Sequence, residues 1–296
     1  IKTIQEQFPV VCFKVEPSDI RIFSDAEYQN LGIEVTDDLS DCEVLFGVKE
    51  VPVEALIPNK KYFFFSHTIK KQPYNQKLLQ AVLEKNIELY DHETIVDAAN
   101  KRLIGFGRYA GIVGAYNAIR AFGIKFELFK MPKASALKGR DALVQQVKRQ
   151  IIPPIKIVVT GTGKVGSGVK EMLLAMKIKE VSVENFLTKN FTQPVFTQID
   201  VLEYNKRMDG QKFDTKDFYK NPSEYESDFE RFTKVADIYI SGHFHANAAP
   251  QILSQKMLQA NDCAIKIVAD VSCDVNGPIA CTLRASTIED PLYGYL

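Results

Sequence analysis

Two neighbouring apolar runs each end in a side chain that can move a proton. Leu45-Phe-Gly-Val leads into Lys49-Glu50, and Tyr62-Phe-Phe-Phe-Ser leads into His67. If both runs are parallel strands, their carboxyl ends share one rim, the side of an α/β sheet where ligands bind. A lysine and a histidine on that rim have the chemistry of general acid and base. Glu50, and Glu93 beyond the next apolar run, are carboxylates placed to tune them. A surface or capping role is the alternative for each residue.

A second chemistry is written in Gly161-Thr-Gly163-Lys164-Val165-Gly166-Ser-Gly168, between the apolar run Ile155–Thr160 and a helical pattern. Gly161 permits a tight turn, Gly163 lets backbone N–H groups approach a pyrophosphate, and Gly166 lets the helix pack closely on the strand. Phosphate then sits on the helix N-terminus, at Lys164 and Val165. The pattern predicts dinucleotide binding. Glu184, about 20 residues further on, stands where a carboxylate accepts hydrogen bonds from a ribose diol, which favours NAD. Lys189 nearby suits a 2′-phosphate instead, so NAD and NADP both stay open. His243 and His245 follow the run Asp237–Ser241 two residues apart, with the spacing of a zinc pair or of a wall beside a nicotinamide, and no third ligand is evident. Asp270, Ser272 and Asp274 end the run Ile265–Val271, as contacts to cofactor or substrate or as a self-bonded strand terminus.

The elements that would position these residues alternate. Strands are predicted at Val10–Val15, Gly32–Val35, Glu43–Val48, Tyr62–His67, Ile87–Asp91 and Arg102–Gly107, with a helix at Lys77–Lys85. A helix over Tyr109–Phe122, with Gly123 as its C-cap, leads out of the first part. Another helical stripe through Leu143 and Val147 ends before Pro153-Pro154. A βαβ unit follows: strand Ile155–Thr160, helix Val165–Met176, strand Glu180–Val183. Glu203–Lys234, charged and rich in Tyr and Phe, reads as an excursion from the sheet that covers a site or a partner. Strand Asp237–Ser241, helix Pro250–Ala260 and strand Ile265–Val271 complete the second part, the last run having the apolar continuity of a buried central strand.

The chain has 296 residues, enough for about two domains. We expect a catalytic and substrate domain over 1–130 and a dinucleotide-binding Rossmann domain over 131–274. With Lys plus Arg at 37 and Asp plus Glu at 37, no sequence-wide positive field exists to hold nucleic acid. No apolar run approaches the roughly 20 residues of a membrane span. Five cysteines with no CxxC pair predict reduced thiols and a cytoplasmic protein. No metal site is predicted, and composition sets no oligomeric state. Ile1–Gln7 reads as the end of a helix begun earlier, so we expect the natural chain to extend beyond both Ile1 and Leu296.

Taken together, Leu45–Glu50, Phe64–Gln72, Leu89–Glu93, Phe106–Ala115, Thr160–Gly168 and Ala269–Asp274 resemble, in order, the lysine-forming saccharopine dehydrogenases. They are also similar to the lysine–ketoglutarate reductase half of the bifunctional lysine-degrading enzyme. The Gly-rich part alone is shared with alanine dehydrogenase and the transhydrogenases. The resemblance implies an α/β enzyme of two Rossmann-like domains with parallel sheets and a cleft between them, residues 275–296 returning to the first. It implies catalytic roles for Lys49 and His67 with Glu50 and Glu93 beside them, and places Lys70 and Gln72 near substrate. The family's substrate-binding arginine segment would lie before Ile1, and Ser241–Asn247 departs from the family's aromatic-rich version. The function implied is interconversion of saccharopine with L-lysine and 2-oxoglutarate by hydride transfer with NAD or NADP. Two rivals follow from the same residues: an alanine-dehydrogenase-like enzyme that uses ammonia, and a non-catalytic dinucleotide sensor.

Overall fold

The computed structural model describes residues 1–71, 73–243 and 249–295. The chain divides into two compact units, Ile1–Gly105 and Phe106–Leu296.

The first unit holds a parallel pair, β1 (Lys14–Val15) with β2 (Glu34–Val35). It also holds a three-stranded parallel sheet in the order β3 (Val44–Phe46), β4 (Lys61–Phe64), β5 (Glu88–Asp91). Side chains alternate between its faces. Leu45, Tyr62 and Phe64 point to the side covered by helix Gln76–Glu84, where they meet Leu78, Ala81 and Val82. Burial of each larger side chain contributes roughly 1.5–3 kcal/mol. On the opposite face Phe46, Phe63 and Tyr90 stack at 4.7 and 4.6 Å, because the register sets them side by side.

The apolar run after this sheet is not the expected strand. Arg102 forms a single antiparallel bridge to Val96, and a helix begins at Gly107. Asp97 turns the chain between them, its carboxylate accepting from the N–H groups of Ala99 and Lys101.

The second unit is built on a five-stranded parallel sheet in the order β12-β11-β6-β8-β7. The strands are β6 (Lys156–Thr160), β7 (Lys179–Glu180), β8 (Val195–Ile199), β11 (Ile238–Ser241) and β12 (Ile267–Asp270). Helices Gly107–Lys125, Gly139–Lys148 and Lys164–Ala175 pack on one face, with Ile112, Tyr116, Ile119, Val147 and Met172 in one core with Ile157 and Val159. Helix Gly107–Lys125, read as the way out of the first domain, thus has its buried face in the second unit. It runs through Gly123, where the expected C-cap would be, and ends at Lys125; that glycine serves packing instead, since a Cβ there would lie 2.3 Å from the Phe129 ring. The other face carries the excursion: an antiparallel pair, β9 (Asn205–Arg207) with β10 (Tyr225–Ser227), and helix Thr215–Lys220. Tyr204, Phe218, Tyr225, Phe229 and Phe232 share a core with Val158 and Tyr239, so this stretch is a packed layer of the unit.

Two strands differ from the expectation. β12 is an edge strand, half-buried along its length, and not central. β8, which the apolar pattern did not announce, pairs with β6 and leaves β7 on the other edge. Residues 275–295 group with the second unit, where Ile279 bridges to Leu253 and Thr282 bonds Asp270. Among the described residues no helix is long and apolar enough to cross a membrane.

Candidate functional site

The rim of the three-stranded sheet is organised by Asp91, the buried last residue of β5. Its carboxylate accepts from the Ser66 hydroxyl at 2.5 Å and from the Glu93 N–H at 2.8 Å. Ser66 in turn accepts from the Thr68 N–H at 3.1 Å. These bonds frame His67, whose backbone is left-handed at φ 54°. A non-glycine residue held there costs on the order of 1 kcal/mol and persists only where its neighbours impose it.

The His67 ring stands between two carboxylates. Nδ1 is 3.1 Å from Glu93 Oε2, and Nε2 is 3.7 Å from Glu50 Oε1. Glu93, with its side chain only 6% exposed, also receives Arg102 Nη2 on its other oxygen at 2.7 Å. A buried carboxylate needs such partners. With Glu93 accepting, the proton sits on Nδ1, and Nε2 is the nitrogen free for proton exchange. The ring is 18% exposed and so accessible from one side. The structure therefore brings Glu50, His67 and Glu93 together. Lys49, on the same turn as Glu50, is exposed and has no ion-pair partner among the described residues. Lys70 lies in the short turn Thr68–Lys70. Gln72 and His245 fall outside the described residues.

Arg102 was missed because its apolar neighbours read as a strand. The signal was present in Asp97-Ala-Ala-Asn100, a turn sequence that folds Arg102 back onto Glu93.

In the second unit the Gly-rich turn joins β6 to helix Lys164–Ala175. Gly161 has φ 93°, and a Cβ there would lie 2.6 Å from the Gly242 carbonyl. A Cβ on Gly166 would lie 1.9 Å from the Gly161 carbonyl, so that position admits only glycine. Gly163 differs: a Cβ there meets nothing within 4 Å. The helix that follows has no side-chain cap, and Lys164 is exposed with Val165 half-buried. An open backbone face at an uncapped helix N-terminus fits a pyrophosphate. Gln198 on β8 donates to the Gly161 carbonyl at 2.8 Å and anchors the turn, a role the sequence reading did not foresee.

Glu184 does not follow a strand of this sheet's centre. It sits exposed in the first turn of helix Val183–Thr188, beyond the edge strand β7. The residue ending the strand beside β6 is Asp200, half-buried, directly after Ile199, whose carbonyl accepts from the Gly161 N–H at 2.8 Å. One Asp200 oxygen caps the next helix by accepting from the Val201 N–H at 2.7 Å, and Glu203 answers by accepting from the Asp200 N–H.

Of the remaining rim residues, His243 is buried, Asp270 and Ser272 are half-buried and Asp274 is exposed. His243 is buried behind Gly161 with Nδ1 2.7 Å from the Thr160 hydroxyl, which also meets the Tyr239 hydroxyl at 3.0 Å. Burial pushes the phenols of Tyr239 and Tyr204 up from their ordinary values. Asp270 accepts from the hydroxyls of Ser241 (2.5 Å), Ser272 (2.6 Å) and Thr282 (2.6 Å). This is the self-bonded strand terminus of the two readings. Among the described residues no group of three His, Cys, Asp or Glu is placed to hold a metal.

Residues 5–113 match the alanine dehydrogenase/PNT N-terminal domain. An α-aminoadipic semialdehyde synthase of Arabidopsis thaliana is 30% identical over 95% of this chain and 30% of its own length. A saccharopine dehydrogenase (NAD(+), L-lysine-forming) of Yarrowia lipolytica is 24% identical over 89% of this chain and 67% of its own. The chain spans about a third of the length of the synthases it matches: 30% for the plant protein and 35% for the bovine one. A transhydrogenase from Sinorhizobium meliloti shares the fold, with a TM-score of 0.58 at 16% identity, over 94% of this chain and 74% of that one.

Proposed function

We propose, from the premise that residues 5–113 match the alanine dehydrogenase/PNT N-terminal domain, that this chain is an NAD-dependent oxidoreductase interconverting saccharopine with L-lysine and 2-oxoglutarate. The observation that carries the reading is the His67 imidazole held by Glu93 on Nδ1 and faced by Glu50 across Nε2. The relatives named for saccharopine dehydrogenase and α-aminoadipic semialdehyde synthase support the choice of substrate.

In the oxidative direction saccharopine, NAD+ and water become lysine, 2-oxoglutarate, NADH and a proton. Bound NAD supplies the hydride exchange at the carbon bearing the secondary amine. This chain's residues supply the rest. Gly163, Lys164, Val165 and Gly166 would hold the pyrophosphate on backbone N–H groups, while Gly161, its own N–H bonded to the Ile199 carbonyl, shapes the turn. Asp200, in place of Glu184, accepts the ribose hydroxyls, and its charge repels a 2′-phosphate, so NAD is preferred over NADP. His67 Nε2 takes the amine proton, while Glu93 and Arg102 keep the ring in one tautomer. Lys49 serves the second proton transfer, which hydrolysis of the resulting imine requires. Lys70 and Gln72 are assigned to substrate by the resemblance alone. The first unit is thus the substrate domain and the second the dinucleotide domain. Cys12, Cys42, Cys263 and Cys281 are free thiols, which suits a cytoplasmic or other reducing compartment.

The test is oxidation of NADH and of NADPH with 2-oxoglutarate and, in turn, lysine, alanine, ammonia or no amine, with pyruvate plus ammonia as the rival pair. Lysine-dependent oxidation of NADH in preference to NADPH is the expected result. Oxidation with pyruvate and ammonia alone would replace this reading by the alanine-dehydrogenase one. NADH binding without turnover on any pair would replace it by a sensor.

A further inference from the structure

Asp91, the last residue of β5, and the next two residues of the chain reach different targets. Asp91 holds Ser66 and Glu93 holds His67, but His92 has no part in the chemistry above. Its Nε2 lies 3.3 Å from the carbonyl of Gly47, at the end of β3, across the intervening β4. Its Nδ1 is buried and has no hydrogen-bond partner among the described residues. A carbonyl oxygen only accepts, so the ring proton is on Nε2 and Nδ1 is bare. The ring is wedged edge-on against Phe65 at 5.2 Å, which fixes its direction.

Gly47 opens the irregular turn that carries Lys49 and Glu50. Backbone bonds tie that turn to β4, with the Gly47 N–H donating to Phe63 at 2.8 Å and the Phe65 N–H donating to Val48 at 3.2 Å. His92 provides the tie from β5. We infer that His92 is a positioning residue: by holding the Gly47 carbonyl it sets where Lys49 and Glu50 stand about His67. Adjacent side chains in the turn after β5 then hold both partners of the proposed proton transfer, Glu93 the imidazole and His92 the turn that faces it. The catalytic part of this inference rests on the function proposed above, while the clamp itself rests only on geometry.

Two measurements on the whole chain test it. In ¹⁵N-histidine spectra of the wild type, the ring absent from His92→Phe has its proton on Nε2 and a bare Nδ1. A proton on Nδ1 overturns the proposal. In turnover with lysine, 2-oxoglutarate and NADH, His92→Phe keeps the ring against Phe65, loses the donor and lowers kcat roughly 10-fold, with KM for NADH unchanged. His92→Gln, which keeps a donor, recovers most of that loss. Wild-type kcat in a folded His92→Phe overturns the proposal, as does failure of His92→Gln to recover activity while folded. If the wild type itself turns over no amine, the function reading fails separately. The His67 ring signals then decide: displaced by His92→Phe and restored by His92→Gln if His92 positions the turn, unmoved if it does not.

Discussion

The two units use the same architectural device, the carboxyl ends of parallel strands, to opposite ends. On the three-stranded sheet the rim displays titratable side chains: His67, Glu50 and Lys49 all retain access to solvent. On the five-stranded sheet the rim ties the side chains at its strand ends into hydrogen bonds of its own. Asp270 is bonded by three hydroxyls and His243 is packed behind Gly161, so what is offered outward is backbone at Gly163 and the half-buried Asp200. The first arrangement suits proton transfer, which needs side chains that change charge. The second suits a bound dinucleotide, which needs fixed dipoles and close approach.

The sharpest way to break this contrast is to add one methyl group to the backbone rim. Gly166→Ala drives a Cβ into the Gly161 carbonyl and should lower both the Tm and the NADH affinity, the latter roughly 100-fold. Gly163→Ala, with open space around it, should leave the Tm as it is and still weaken NADH, because only the approach of the ligand is obstructed. Equal affinities in both variants and the wild type, read by NADH fluorescence titration, would mean that the turn does not hold the cofactor.

A smaller effect is expected on lowering the pH. In the second unit Arg108 and Arg140 hold Glu171 below the usual carboxylate range, and Arg207 holds Asp209 down to about 2. A carboxylate depressed in the folded state stabilises above its ordinary value, and that contribution is lost as pH falls through its folded value. Melting followed from about pH 5 to about pH 3 should therefore show a falling Tm, less steep in Glu171→Gln. An unchanged slope would remove Glu171 from the account of acid stability.

Much of the first rim was legible because parallel strands place their last residues side by side: Glu50, His67 and Glu93 were each read from the end of an apolar run. Arg102 was not, since a charged residue before an apolar stretch looks like the start of a strand, and only the turn at Asp97 reverses that. In the second unit the glycines announced themselves by spacing. β8 did not, because Thr197 and Gln198 break the apolar run that marks a buried strand, although Thr197 is almost fully buried. With β8 unseen, the next strand in sequence stands in as the neighbour of β6, and a count of residues points to Glu184, whereas the residue following the strand that lies beside β6 is Asp200. His92 was overlooked for a different reason: its partner is a backbone carbonyl two strands away, and nothing in residue type or spacing reports that.

The most direct measurement is turnover of His67→Gln with lysine, 2-oxoglutarate and NADH, beside its NADH affinity. General acid–base catalysis is worth about 10²–10⁴-fold, so kcat should fall by at least about 100-fold while NADH binds as in the wild type. Turnover within a few-fold of the wild type would contradict the assignment of proton transfer to the first rim.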